Sequence, residues 1–173
     1  MKFAHVVWLA AAFGLAVGLC QRPAHAADTI EVFAGHSTRI IDNSKGTAWG
    51  VARVLQYDWG KLDFGYINEG TMHATADLPM KAKRDGIMAM ARMERRFVPH
   101  FNTYAEIGPY MTGTTISDST HSFIEYRPTL LGGLGFAFEA GPATFGGRWL
   151  HVIGTPHVGS ADVFTVTAGV VAW

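Results

Sequence analysis

One cysteine, Cys20, is the only thiol in the chain, and it lies close to the N-terminus. If that segment is removed, no disulfide can form and no thiolate is left for catalysis or metal binding. Neither sign of charge is in excess, with 14 basic residues against 14 acidic. That removes the electrostatic case for nucleic acid. Beyond the N-terminus no apolar run is long enough for a membrane helix, although hydrophobic residues make up 49% of the chain. There is no glycine-rich phosphate loop, no H-E-x-x-H and no His/carboxylate spacing that suggests a metal. No cofactor and no metal are therefore expected. No internal repeat stands out.

What the chain does have is a leader followed by short alternating runs. Lys2 gives a basic start, Phe3–Cys20 is almost uninterrupted apolar, and Ala24-His25-Ala26 is an A-x-A cleavage site. Residues 1–26 read as a cleaved signal peptide and 27–173 as the mature domain. Two alternatives are an uncleaved anchor, which the A-x-A site opposes, and a lipoprotein at V-G-L-C, where Leu19 is too large. Cleavage after Ala26 removes Lys2, Arg22 and Cys20. Eight alternating runs follow: Thr29–His36, Thr47–Tyr57, Leu62–Glu69, Gly86–Phe97, Phe101–Thr112, Phe123–Glu139, Ala143–Ile153 and Asp162–Trp173. Most have the ~9–11 residues that a tilted strand needs to cross a bilayer. The links after runs two, four and six are short, and the others are longer, the longest about Gly70–Asp85. That alternation is the pattern of periplasmic turns and extracellular loops.

The expected fold is all-β: an eight-stranded antiparallel up-and-down transmembrane β-barrel in the bacterial outer membrane, with both termini periplasmic. A soluble ligand barrel is also a meander, but it needs an apolar interior. Here Arg92, Glu94 and Arg96 share one face of run four, Asn102, Tyr104 and Glu106 one face of run five, and Glu125, Arg127 and Thr129 one face of run six. Such residues can pair in a small filled lumen, while Tyr126, Leu134, Phe136 and Phe138 meet lipid. Lys81, Lys83 and Arg84 fall in the longest link, within reach of lipopolysaccharide phosphates or simply solvated. His73 lies there too and reads as exposed. Asn68-Glu69-Gly70 and Arg84-Asp85-Gly86 read as turn chemistry.

The last two runs flank a Gly/Pro-containing link and read as a hairpin. Antiparallel pairing brings His151, at the end of the first, to the same end of the sheet as Asp162, which opens the second. If the more apolar face points to lipid, both look outward near the extracellular rim. There they are costly unless paired or used. A carboxylate that orients a histidine is one half of a hydrolytic triad. Trp173 falls on the face opposite Asp162 unless a bulge intervenes. The aromatic end of the last run suggests a barrel closed by its last strand against its first.

Over roughly the last 75 residues the chain resembles the outer-membrane lipid A 3-O-deacylases. The resemblance rests on F-N-T-Y-A-E-I-G-P-Y-M-T-G-T in run five and on G-G-L-G-F-A-F through R-W-L-H in runs six and seven. It implies an eight-stranded barrel that cleaves an ester-linked acyl chain from lipid A, with lipid A or lipopolysaccharide as partner. His151 matches the family's histidine, and Asp162 stands where a glutamate is expected. The family's catalytic serine and the asparagine after it are replaced by Ile153 and Gly154. Isoleucine is no nucleophile. Ser160 substitutes only if the link folds back. The resemblance thus leaves two readings. One is a barrel with a degraded site and a structural or lipopolysaccharide-contacting role. The other is an active deacylase using His151 as base, Asp162 as orienter, and Ser160 or water as nucleophile. A surface adhesion or resistance barrel is a third class without a positive sign in the loops.

Overall fold

The computed structural model describes residues 28–40, 43–75, 78–118, 120–154 and 159–172. The leader and Trp173 lie outside the described residues. Eight strands form: β1 (Asp28–Arg39), β2 (Lys45–Tyr57), β3 (Gly60–Thr75), β4 (Leu78–Val98), β5 (Phe101–Ser117), β6 (Ser122–Ala140), β7 (Ala143–Val152) and β8 (Ala161–Ala172). Each pairs antiparallel with the next, and β1 closes on β8 from Asp28↔Ala172 to Arg39↔Ala161. The result is a closed up-and-down barrel with no free edge.

The period-two pattern decides which way each residue faces. In β1, Glu31, Phe33, Ser37 and Arg39 are buried, while Ile30, Val32, Ala34 and His36 are exposed. In β7, Arg148, Leu150 and Val152 are fully or nearly fully buried and Phe145 is exposed, as is Ile153 just past the strand. The outer wall thus carries Ile87, Ile107, Leu134, Phe136 and Val166, and the last of these is 71% exposed. An apolar outside and a charged inside is the inversion that a lipid-facing barrel requires and a soluble ligand barrel avoids.

The pairing also sets the tilt. The row of partners Thr38–Asp162–His151–Gly132–Ile107–Ala91–Leu62–Leu55 returns to β1 at Asp28, a shear of ten residues. For eight strands that shear tilts them by roughly 40°. Such a lumen is filled by side chains. Arg92 from β4 grips Glu31 from β1 with both terminal nitrogens, at 2.9 and 3.0 Å, and Asp63 from β3 at 2.5 Å. Arg148 from β7 holds Glu106 from β5 at 2.5 and 2.7 Å and reaches Asp63 at 3.2 Å. The Tyr104 ring lies 4.1 Å beneath the Arg92 guanidinium. Two cations and three carboxylates from five strands tie the wall together across its own interior.

One sequence expectation is corrected here. The link at Gly70–Asp85 is not a long loop, because β3 runs on to Thr75 and β4 starts at Leu78. A β-bulge explains why it looked like one. Gly70 has φ +82°, its N–H is accepted by Asn68 Oδ1 at 2.8 Å, and the register shifts between Asn68 and Gly70. The extra residue breaks the alternation without ending the strand. Arg84 is therefore no solvated or headgroup-facing residue. It is fully buried in the lumen, where its Nε and Nη2 bond Glu69 Oε2 at 2.8 and 2.5 Å. No bulge interrupts β8 between Ala161 and Ala172.

Candidate functional site

The two walls of the barrel differ in height. β3 to β6 have 16–21 residues each, whereas β7, β8, β1 and β2 have 10–13. The low side of the rim is where β7 and β8 end, and His151 and Asp162 form one of their last cross-strand pairs. His151 Nδ1 lies 3.0 Å from Asp162 Oδ1. Trp149, two residues before His151 on the same face, donates its indole N–H to the same oxygen at 3.1 Å. Both side chains of the pair are about one-third exposed, at 37% and 29%, on the outer wall. The carboxylate is thus fixed by two donors. With Nδ1 engaged, Nε2 is the nitrogen of the imidazole that has no hydrogen-bond partner among the described residues.

The partner of His151 on β6 is Gly132. A Cβ placed there would find nothing nearer than 3.9 Å, so that flank of the imidazole is open. One row down, away from the rim, lies an apolar groove of about 490 Å³. Phe101, Leu134, Phe136, Trp149 and Phe164 line it, and Gly147, which points outward with no side chain, lies among them. Trp149 belongs both to the groove and to the hydrogen bond that holds Asp162.

His151 and Asp162 are brought together as the hairpin reading expected. Ser160 is not joined to them. Its hydroxyl accepts the Gly154 N–H at 2.9 Å, and its carbonyl accepts the Ile40 N–H at 3.0 Å. It closes the base of the β7–β8 connection, and among the described residues no hydrogen bond links it to His151. Ile153 is exposed beside the dyad. The sequence reading missed Trp149 as second donor and Gly132 as open neighbour. The first was findable, since Trp149 shares a face with His151 two residues away. The second needed the β6–β7 register. Among the described residues no group of three or more His, Cys, Asp or Glu is placed to hold a metal ion.

The fold is a closed eight-stranded up-and-down β-barrel, the architecture of the solved outer-membrane barrels to which the chain is similar. Among solved structures it is similar to Neisserial surface protein A, with a TM-score of 0.60 and 9% identity over 85% of this chain and 97% of that one. It is also similar to Ail, the attachment invasion locus protein of Yersinia pestis, in complex with the heparin analogue sucrose octasulfate. There the TM-score is 0.57 at 11% identity, over 84% of this chain and 96% of that one. A second structure of Ail gives 0.53 at 12% identity. No protein-family model matches the chain, and no curated protein matches it.

Proposed function

We propose that this barrel sits in the bacterial outer membrane and holds an outer-leaflet lipid against its β6–β7–β8 wall, without hydrolysing it. The single observation that carries this reading is the His151–Asp162 pair, 3.0 Å apart and open on the lipid-facing wall beside an apolar groove. Polar groups in that position are expensive in hydrocarbon unless they are paired or used. The groove fits an acyl chain and the dyad a polar group at its head. The resemblance to the lipid A deacylases makes lipid A the first candidate. Ile153 stands in the serine position and the Ser160 hydroxyl is bonded to Gly154, so among the described residues no hydroxyl is hydrogen-bonded to the dyad, which favours a contact site over an esterase.

A second reading keeps the chemistry. His151 Nε2 is free to take a proton from water, with Asp162 orienting the ring. Mass spectrometry separates the two. Lipid A from cells overproducing the protein should be unchanged, and the purified barrel should carry lipid A. His151→Ala should lose that lipid while keeping the heat-modifiable gel shift of a folded barrel. Loss of one hydroxyacyl chain from lipid A would establish the esterase instead. An empty wild-type barrel would overturn the lipid-holding reading.

A further inference from the structure

The ladder row through the dyad does not stop at Asp162. Asp162 pairs with Thr38 on β1, and Thr38 pairs with Lys45 on β2. The row beneath runs from Phe164 to His36 to Thr47. The alternation turns all four of these β1–β2 side chains outward: Ser37, Arg39 and Ala48 are buried, Thr38 is half-buried, and His36, Lys45 and Thr47 are exposed. His36 lies against the Phe164 ring, with centroids 5.4 Å apart and planes 24° from parallel, which sets the plane of the imidazole against the β8 wall. The outer wall here is polar at the level of the dyad, where the aromatic wall of the groove ends.

We infer that His36, Thr38 and Lys45 form a subsite for a phosphate on the headgroup of the lipid that the dyad and groove hold. The chemistry is specific to an anion that also hydrogen-bonds. Lys45 supplies the charge, Thr38 a hydroxyl, and His36 a ring nitrogen. The geometry restricts the headgroup. From His151 on β7 to Lys45 on β2 is three strand spacings, roughly 14 Å. A phosphorylated disaccharide covers that backbone span between acyl ester and phosphate, whereas a glycerophosphate headgroup keeps its phosphate nearer His151 and further from Lys45. The expected occupant is therefore an outer-leaflet glycolipid. This inference rests on the lipid-holding reading, and it adds the charged residue and the headgroup class.

The test titrates three amphiphiles in detergent micelles against the folded full-length barrel, reading tryptophan fluorescence. The three are lipid A, phosphatase-treated lipid A and phosphatidylglycerol. Lipid A should bind the wild type about fivefold tighter than the dephosphorylated form, the factor equivalent to the ~1 kcal/mol that one lysine contributes against anionic lipid. Lys45→Gln should abolish that preference and leave the dephosphorylated lipid unaffected, and Thr38→Val should reduce it. Phosphatidylglycerol should bind without dependence on Lys45. Equal binding of the two lipid A forms by the wild type, or a preference that survives Lys45→Gln, would overturn the subsite while leaving the groove intact. A Lys45-dependent phosphatidylglycerol complex would overturn the disaccharide assignment. No binding of any of the three would mean that the lipid-holding reading itself has failed.

Discussion

Single residues decide this molecule where charge is buried. Arg84 and Glu69 have no exposed side-chain surface, and Arg84 also reaches the Gly159 carbonyl at 3.3 Å. Removing one partner strands the other in a packed lumen, so Arg84→Ala should cost about 3–5 kcal/mol. Urea unfolding followed by the heat-modifiable gel shift measures it. Arg84→Met combined with Glu69→Leu should recover most of the loss, because neither charge remains. A loss below 1 kcal/mol for the single variant would mean that the lumen is wetter than its packing implies. Arg84 also marks where the sequence stopped being legible. Its type and place suggested a solvated loop or a headgroup contact, and nothing within K-A-K-R-D reveals that a bulge at Gly70 carries the strand pattern through it. By contrast, the inward set Arg92, Tyr104 and Glu106 was readable from alternation alone, because period two is local. Their partners Glu31, Asp63 and Arg148 come from β1, β3 and β7, and only the register joins them.

Elements were legible in proportion to how regular their alternation is. The final hairpin was, and its His–Asp pairing followed from antiparallel geometry before any distance was known. Ser160 was not, because it lies in the connection before β8, where nominal face means nothing. The β5–β6 connection shows what such a segment uses instead of a ladder. Asp118 Oδ1 accepts the N–H groups of Thr120 and His121 at 2.7 and 2.6 Å and the Thr120 hydroxyl at 3.0 Å. The two backbone bonds, with the hydroxyl behind them, hold its carboxyl below the usual carboxylate range. A depressed value means that the turn is supported above the unfolded pKa and loses that support as pH falls through the folded one. Amide-exchange protection at Thr120 and His121, taken relative to the intrinsic rate at each pH, should therefore rise from acid to neutral pH, with its midpoint below that of a free aspartate. In Asp118→Ala the protection should be low and lack this step. A midpoint at or above the free value would refute the cap.

At the scale of the whole molecule, the claim that matters is that the outer wall meets hydrocarbon. Sequence and structure agree on the strand number and on the faces, yet both also describe an up-and-down meander that water-soluble proteins use. The lumen argues against that alternative, since five charged side chains tie it together, but the surrounding solvent is what a measurement must settle. Val166 is the place to ask. It lies midway along β8, faces outward between Ala34 and Gly147, and is the most exposed of the large outer apolar residues among those described. In a bilayer Val166→Arg places a charge near the midplane and should cost about 2–4 kcal/mol, whereas Ile153→Arg at the rim should cost about 0–1 kcal/mol. Guanidinium unfolding in phospholipid vesicles, followed by tryptophan fluorescence, gives both. On a wall facing water the two substitutions would instead be alike and within about 0.5 kcal/mol of the parent. A depth-dependent cost therefore identifies the solvent directly. It also fixes the level at which the dyad sits, because the midplane and the rim are then calibrated on the same hairpin that carries His151 and Asp162.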